Sequence, residues 1–235
     1  MSQLGSLSLS DGLTTTVFVT SARYTDPTEG PVILHFAVPA SSQGVTVKQD
    51  WQALGMRSVG SQNIFMEDVF VPDSAITLTR KAGHWHPVWS AMLGIALPLT
   101  MSVYVSVAEA AFEKARAQAM NMTHSSVAYS LGEMSNTLTT AQLALGDMIR
   151  LANNYRFVPS VALANNMLTR KTIVSNAVLA TTEHALELTG GLGVYTFSSL
   201  ERFVRDSRAA QFQLLPEKQQ QLFTGRLALG LEPVV

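Results

Sequence analysis

The chain has 235 residues, of which 47% are hydrophobic and 14% charged, and its 16 basic and 17 acidic side chains leave a formal net charge of -1. That balance is ordinary for a chain able to bury a core, and a charge so near neutrality gives no electrostatic reason to expect a nucleic-acid or membrane-surface partner. With no cysteine, a disulfide framework, a thiolate nucleophile and a thiolate metal site are excluded, which is compatible with a reducing cytoplasm.

The opening MSQLGSLSLS has neither a basic stretch nor an apolar core, so it does not read as a signal peptide. Residues 13–24 (LTTTVFVTSARY) and 31–39 (PVILHFAVP) are rich in β-branched and aromatic side chains. The Pro and Gly of TDPTEG between them predict a hairpin. GVTVKQDW and SQNIFMEDVFVP predict two more short strands, bounded by Gly44, Gly55, Gly60 and Pro72. After Pro72 the apolar period lengthens from two to roughly three and a half, which predicts a domain boundary near Arg80.

From residue 88 to 108 there is no charged side chain, a length sufficient to cross a bilayer. Pro98, the hydroxyls of Ser90, Thr100, Ser102 and Ser106, and the continuation into charged AEAAFEKARAQA favour the central helix of a bundle over a membrane span. The next helix places Val127, Leu131, Met134, Leu138, Ala141, Leu145, Met148, Ala152 and Tyr155 on one stripe. Another runs through Val161, Ala164, Met167, Lys171, Val174, Ala177, Thr181, Ala185 and Leu188, with Pro159 in its first turn and Gly190 and Gly191 at its end. A shorter helix near residues 200–210 and a last one over EKQQQLFTGRLALG complete the set. The fold class is therefore α+β, mainly α: an antiparallel β domain over residues 1–80, then a four-helix bundle over 81–235.

The chemistry-bearing residues leave alternatives open. His84 and His86 in HWH lack a third ligand nearby, so no metal is expected. Arg202, Arg205 and Arg208 share one helix face that can meet a phosphate or stay solvated. Gly190, Gly191 and Gly193 can end a helix, or can let backbone amides approach an anion.

Two stretches together resemble a known family. Residues 50–72, DWQALGMRSVGSQNIFMEDVFVP, and residues 185–209, ALELTGGLGVYTFSSLERFVRDSRA, are similar to two motifs of the acyl-CoA dehydrogenases, in that family's order and spacing. The resemblance implies the C-terminal portion of such a flavoprotein: part of the middle β domain, entered through GSLSLSDGLTTTVFVTSA, followed by the helical domain, with the N-terminal helical domain absent. It implies FAD, or FMN, held by Gly190, Gly191 and Gly193 against a neighbouring subunit, with Glu187 where the family has Gln. It gives Ser61 and Arg57 places in the first motif and makes Ser61, like Glu187, a cofactor-binding candidate, where the alternatives are capping a strand and supporting a loop. It also matches Lys171 to a lysine frequent in the family, where the alternative is a snorkelling stem.

The same resemblance exposes two departures. The family's phosphate-binding arginine motif aligns with MTHSS, and its catalytic glutamate position falls on Leu214, which cannot accept a proton. Glu217, one turn on, is the remaining candidate base. Three readings follow: an acyl-CoA dehydrogenase-like enzyme acting on the CH–CH bond of an acyl thioester, a monooxygenase using reduced flavin, and a non-catalytic subunit completing a partner's flavin site. An acyl-CoA or similar small molecule and assembly as a homodimer or homotetramer are the partners implied.

Overall fold

The computed structural model describes residues 7–9 and 16–233. It divides into two units, Met1–His84 and Trp85–Val235. Residues 13–15 of the predicted first strand, and 5, 6 and 10–15 of the stretch GSLSLSDGLTTT, lie outside the described residues.

In the first unit, β2 (Val17–Asp26) and β3 (Gly30–Pro39) form the predicted hairpin, with Val17 opposite Pro39 and Asp26 opposite Gly30. The turn is made by Asp26, whose Oδ1 accepts from the amides of Thr28 at 2.8 Å and Glu29 at 2.9 Å. Those two bonds hold its carboxyl below the usual carboxylate range. On the other side of β3 lies β6 (Ile76–Lys81). Helical periodicity is the expectation here from the sequence, but ITLTRK alternates half-buried and exposed positions, and the helices begin only at Pro87. A second antiparallel sheet, in the order β1–β5–β4, joins β1 (Leu7–Leu9), β5 (Gln62–Met66) and β4 (Val45–Val47). Phe18, Val32, Phe36, Val38 and Ile64 are buried in this unit.

The second unit is helical: α1 (Pro87–Ala119), α2 (Ser126–Ala152), α3 (Val161–Thr189), α4 (Leu200–Ser207) and α5 (Glu217–Ala228). His86 starts α1, its Nδ1 accepting from the amide of Val88 at 3.2 Å, with Pro87 in the first turn. Trp85 ties that start to α5, packing edge-on against Phe223 at 4.8 Å between ring centres. By length and composition α1 could cross a membrane. Here it packs against α2, α3 and α4, burying Leu93, Leu97, Met101, Tyr104, Ala108 and Ala111, while Met92, Ile95, Leu99 and Val103 remain on its outer face.

The α2 stripe is buried at Met134, Leu138, Ala141, Met148 and Ala152, but it does not reach Tyr155. Asn153, Asn154 and Tyr155 all take left-handed conformations, with φ of 45°, 52° and 62°. These end the helix and turn the Tyr155 ring outward. Asn tolerates such a conformation through its short polar side chain, which tyrosine lacks. Ser160 then caps α3 by accepting from the amide of Leu163 at 3.1 Å, so Pro159 precedes the cap instead of occupying the first turn. α3 touches each of the other four helices and is buried on most of its circumference.

Candidate functional site: the glycine turn and the Leu214 turn

Gly190 closes α3 at φ 57° and ψ −145°, a backbone state open in practice only to glycine. The next glycines differ sharply in their surroundings. A Cβ placed on Gly191 would meet nothing within 4 Å, whereas one on Gly193 would stand 2.4 Å from Thr189 Oγ1 and 2.7 Å from Leu186 Cδ1. Gly193 is thus used inside the chain: it is buried, and its carbonyl accepts from Ser198 Oγ at 2.9 Å. Gly191 presents bare backbone outward, beside the exposed Leu192, Val194, Tyr195 and Phe197, of which the two aromatic rings stack at 5.4 Å.

This turn lies at the C-terminal, negative end of the α3 dipole, and the Glu187 carboxylate is exposed beside it, 3.7 Å from His184 Nδ1. Both features oppose an anion. A ligand phosphate here would depend on the turn's own amides.

From α4 the chain runs back along α3, tied at successive levels. Thr182 Oγ1 and Ser207 Oγ share a hydrogen bond of 3.1 Å, and Ser175 Oγ donates to the Ala210 carbonyl at 2.9 Å. The wholly buried Lys171 donates from Nζ to the carbonyls of Gln211 at 2.8 Å and Leu215 at 2.9 Å. Burial pushes its ammonium down to about 8, and the charge of Glu217 opposes that shift. From α1, Tyr104 accepts from Gln213 Nε2 at 2.7 Å through its hydroxyl, and burial raises the pKa of that phenol.

Between these ties Leu214 stands at φ 57°. The amide of Leu215 donates to the Gln213 carbonyl at 2.7 Å, so Leu214 centres a three-residue turn of the positive-φ kind, which is rare and strained. Its side chain is 45% exposed, and leucine offers no proton acceptor. Glu217 opens α5, and its Oε1 accepts from Gln221 Nε2 at 2.7 Å.

Gly190 lies nineteen steps along the chain from Lys171, all but the last within α3, about 28 Å at roughly 1.5 Å per step. The glycine turn and the Leu214 turn, close in sequence, are therefore at different levels of the bundle. Ser61 belongs to the other unit, half-buried at the start of β5 and preceded by the left-handed Gly60. Arg57 lies in the short turn before it, its Nε donating to the Ala53 carbonyl at 3.2 Å, so it supports its own loop.

The arginine face of α4 is divided between tasks. Arg205 pairs with Glu201 at 2.7 Å, Arg208 pairs with Glu183 on α3, and Arg202 lies over the Phe203 ring at 5.6 Å. Phe203 also closes an open groove of about 410 Å³ against Ser102, Val103, Ser106, Val107 and Ala110 of α1. With no titratable group in its walls, this groove suits an apolar group. Among the described residues no cluster of three or more His, Cys, Asp or Glu side chains is placed to hold a metal. Sequence reasoning missed Tyr104, Ser175 and Gln213. For Tyr104 and Ser175 the available signal was a polar side chain on an otherwise apolar helix face; Gln213 lies outside the helices and gave none.

The family model described as acyl-CoA dehydrogenase, C-terminal domain, matches residues 89–215. The chain is 25% identical over 219 residues to cyclohex-1-ene-1-carbonyl-CoA dehydrogenase of Syntrophus aciditrophicus, covering 88% of this chain and 50% of that protein. It is also 25% identical over 202 residues to the mitochondrial short-chain specific acyl-CoA dehydrogenase of Homo sapiens, covering 82% and 47%. The chain thus spans about half the length of the curated relatives it matches. Among solved structures, KijD3 in complex with FMN and dTDP-3-amino-2,3,6-trideoxy-4-keto-3-methyl-D-glucose superposes with a TM-score of 0.83 at 25% identity, over 97% of this chain and 59% of that one. Dibenzothiophene monooxygenase TdsC of Paenibacillus shares the fold, with a TM-score of 0.75 at 19% identity over 96% and 64%.

Proposed function

Because the chain belongs to the acyl-CoA dehydrogenase family, we propose that it serves a flavin-dependent oxidoreductase reaction, with the FAD or FMN of a neighbouring subunit against the glycine turn and the substrate of the chain's own site bounded by the Leu214 turn. The fit at the first turn rests on Gly191, where a Cβ would meet nothing of the chain itself within 4 Å and a nucleotide can approach the backbone directly. When bound, the flavin supplies the electron-pair chemistry. The chain's own residues orient it: the Gly191 backbone sets the distance of approach, the Tyr195–Phe197 stack offers an apolar face, and Glu187 weakens any contact to phosphate.

Leu214 is the observation that carries the choice of reaction. It occupies the place where the family resemblance puts a proton-abstracting carboxylate, and it is fixed there by bonds on both sides. An apolar wall at that place suits turnover from reduced flavin and oxygen, and the FMN complex of KijD3 supports a flavin as the cofactor. The second reading is dehydrogenation of an acyl thioester with Glu217 as base. Its support is that Glu217 opens α5 two residues beyond Leu215 and that its charge acts on Lys171. The outer face of α1, with Met92, Ile95, Leu99 and Val103, supports assembly as a homodimer or homotetramer.

The test uses the protein in its native length, titrated with FAD and with FMN by fluorescence quenching and then mixed anaerobically with butyryl-CoA. Flavin binding without bleaching by butyryl-CoA, together with oxygen-consuming turnover of chemically reduced flavin, is the expected result. Bleaching by butyryl-CoA overturns the choice of reaction in favour of the dehydrogenase, and failure to bind either flavin overturns the proposal.

A further inference from the structure

The strain at Leu214 has to be held by something. A branched side chain at φ 57° in a three-residue turn persists only where its surroundings over-determine it. Ser175 fixes Ala210, and Tyr104 fixes the side chain of Gln213. Among the described residues Lys171 is the side chain that bonds carbonyls on both sides of Leu214, those of Gln211 and Leu215. A hydroxyl carries a single proton to donate and cannot span both, whereas an ammonium carries three. Placing an ammonium in a core is costly, and the downward shift of its pKa records that cost.

We propose that Lys171 is a positioning residue: its ammonium clamps the carbonyls of Gln211 and Leu215, so that the strained turn presents the Leu214 side chain at one fixed place. This rests on the reading of the Leu214 turn as a wall of the substrate site. On that reading the clamp fixes the depth of the wall and selects substrates that offer an apolar face to it.

The clamp is tested without flavin, by amide hydrogen exchange in the chain. In Lys171→Met, which keeps the length of the side chain but donates nothing, the Leu215 amide should exchange about a hundredfold faster, the size expected for losing charge-assisted bonds. Amides in the middle of α3, such as those of Val174 and Val178, should keep their protection. In Lys171→Met combined with Leu214→Gly, where glycine accepts the positive φ without strain, protection of Leu215 should return by about tenfold. A residue that merely filled core volume would show no such rescue.

Unchanged exchange at Leu215, equal loss of protection along α3, or absence of rescue would overturn the proposal. Should Lys171→Met not fold, Lys171→Gln takes its place, since its shorter neutral amide cannot give both carbonyls charge-assisted bonds. It must raise exchange at Leu215 several-fold, and unchanged exchange there equally overturns the clamp. The flavin reading fails separately: protection that behaves as expected in a native-length protein that binds neither FAD nor FMN leaves the clamp standing and removes the site it was meant to serve.

Discussion

Replacing each of the three neighbouring glycines in turn by alanine separates a glycine that shapes the chain from one kept for something outside it. At Gly193 the added methyl would stand 2.4 Å from Thr189 Oγ1 and 2.7 Å from Leu186 Cδ1. Thr189 Oγ1 cannot yield without losing its bonds to the carbonyls of Ala185 and Leu186, at 3.0 and 3.1 Å. Overpacking of this kind costs about 1–3 kcal/mol. Gly190→Ala forces an L-residue to φ 57° and ψ −145°, costing about 1–3 kcal/mol by backbone strain alone. Gly191→Ala meets neither obstacle and should fall within about 0.5 kcal/mol of the parent. Urea unfolding followed by helical circular dichroism reads these as shifts of midpoint at constant slope. Flavin titration then reads Gly191→Val, whose branched side chain should block nucleotide approach while leaving the midpoint in place. A Gly191→Ala protein as unstable as Gly193→Ala, or a Gly193→Ala protein as stable as the parent, would refute the assignment of inward and outward glycines.

Four further outcomes follow from the same geometry. Lys171 is lowered from 10.5 to about 8 on folding, so the unfolded chain binds the extra proton between those values. Stability should therefore rise as pH is raised through 8, by at most about 1.4 kcal/mol per pH unit, and Lys171→Met should remove that slope in urea midpoints. Asp147 accepts from Arg150 on α2 and Arg170 on α3, which holds its carboxyl below 3.8. Its contribution is present above that value and lost as pH falls below it, and Asp147→Asn should cost less than about 1 kcal/mol at neutral pH because the pair is partly exposed. Ser160→Ala removes the α3 cap and should cost about 1 kcal/mol by urea unfolding. Glu187→Gln should tighten FAD binding in the fluorescence titration, since it deletes a carboxylate that opposes the nucleotide phosphates; weaker binding would count against a flavin at this turn.

Much of the fold was legible because it depends on local repetition. The hairpin at TDPTEG, the helical stripe from Met134 to Ala152 and the glycine stop after Thr189 each follow from short-range chemistry visible in the string. β6 was legible but misread, since ITLTRK alternates apolar and polar residues as a strand does, and the change to a helical period comes at Pro87 and not at Pro72. Tyr155 misled because its spacing continues the stripe while two preceding asparagines have already turned the chain. At the candidate site, the placement of Leu214 could be counted, but not its left-handed backbone, because nothing in QLLP signals positive φ. Lys171 stood out as a cation on a face of small residues, while its partners are backbone carbonyls, which carry no sequence identity. The three glycines looked alike in the string, and only neighbouring side chains distinguish Gly193 from Gly191.

The central position of α3, in contact with each of the other helices, bears on how this molecule can change by substitution. Residues such as Lys171, Ser175 and Thr182 each bond a different level of one returning segment, and Asn165 accepts from Thr224 on α5 at 2.7 Å. Lys171, Ser175 and Thr182 have separate partners but hold one returning segment in common, so the effects of replacing them on stability should not add, with interaction energies of about 0.5–3 kcal/mol of either sign. Exposed positions on α2 such as Tyr129 and Leu143 should combine nearly independently. Variation in this bundle is therefore expected to accumulate freely at its periphery and to require concerted sets of changes along α3, where the fate of one side chain depends on which others have already been exchanged.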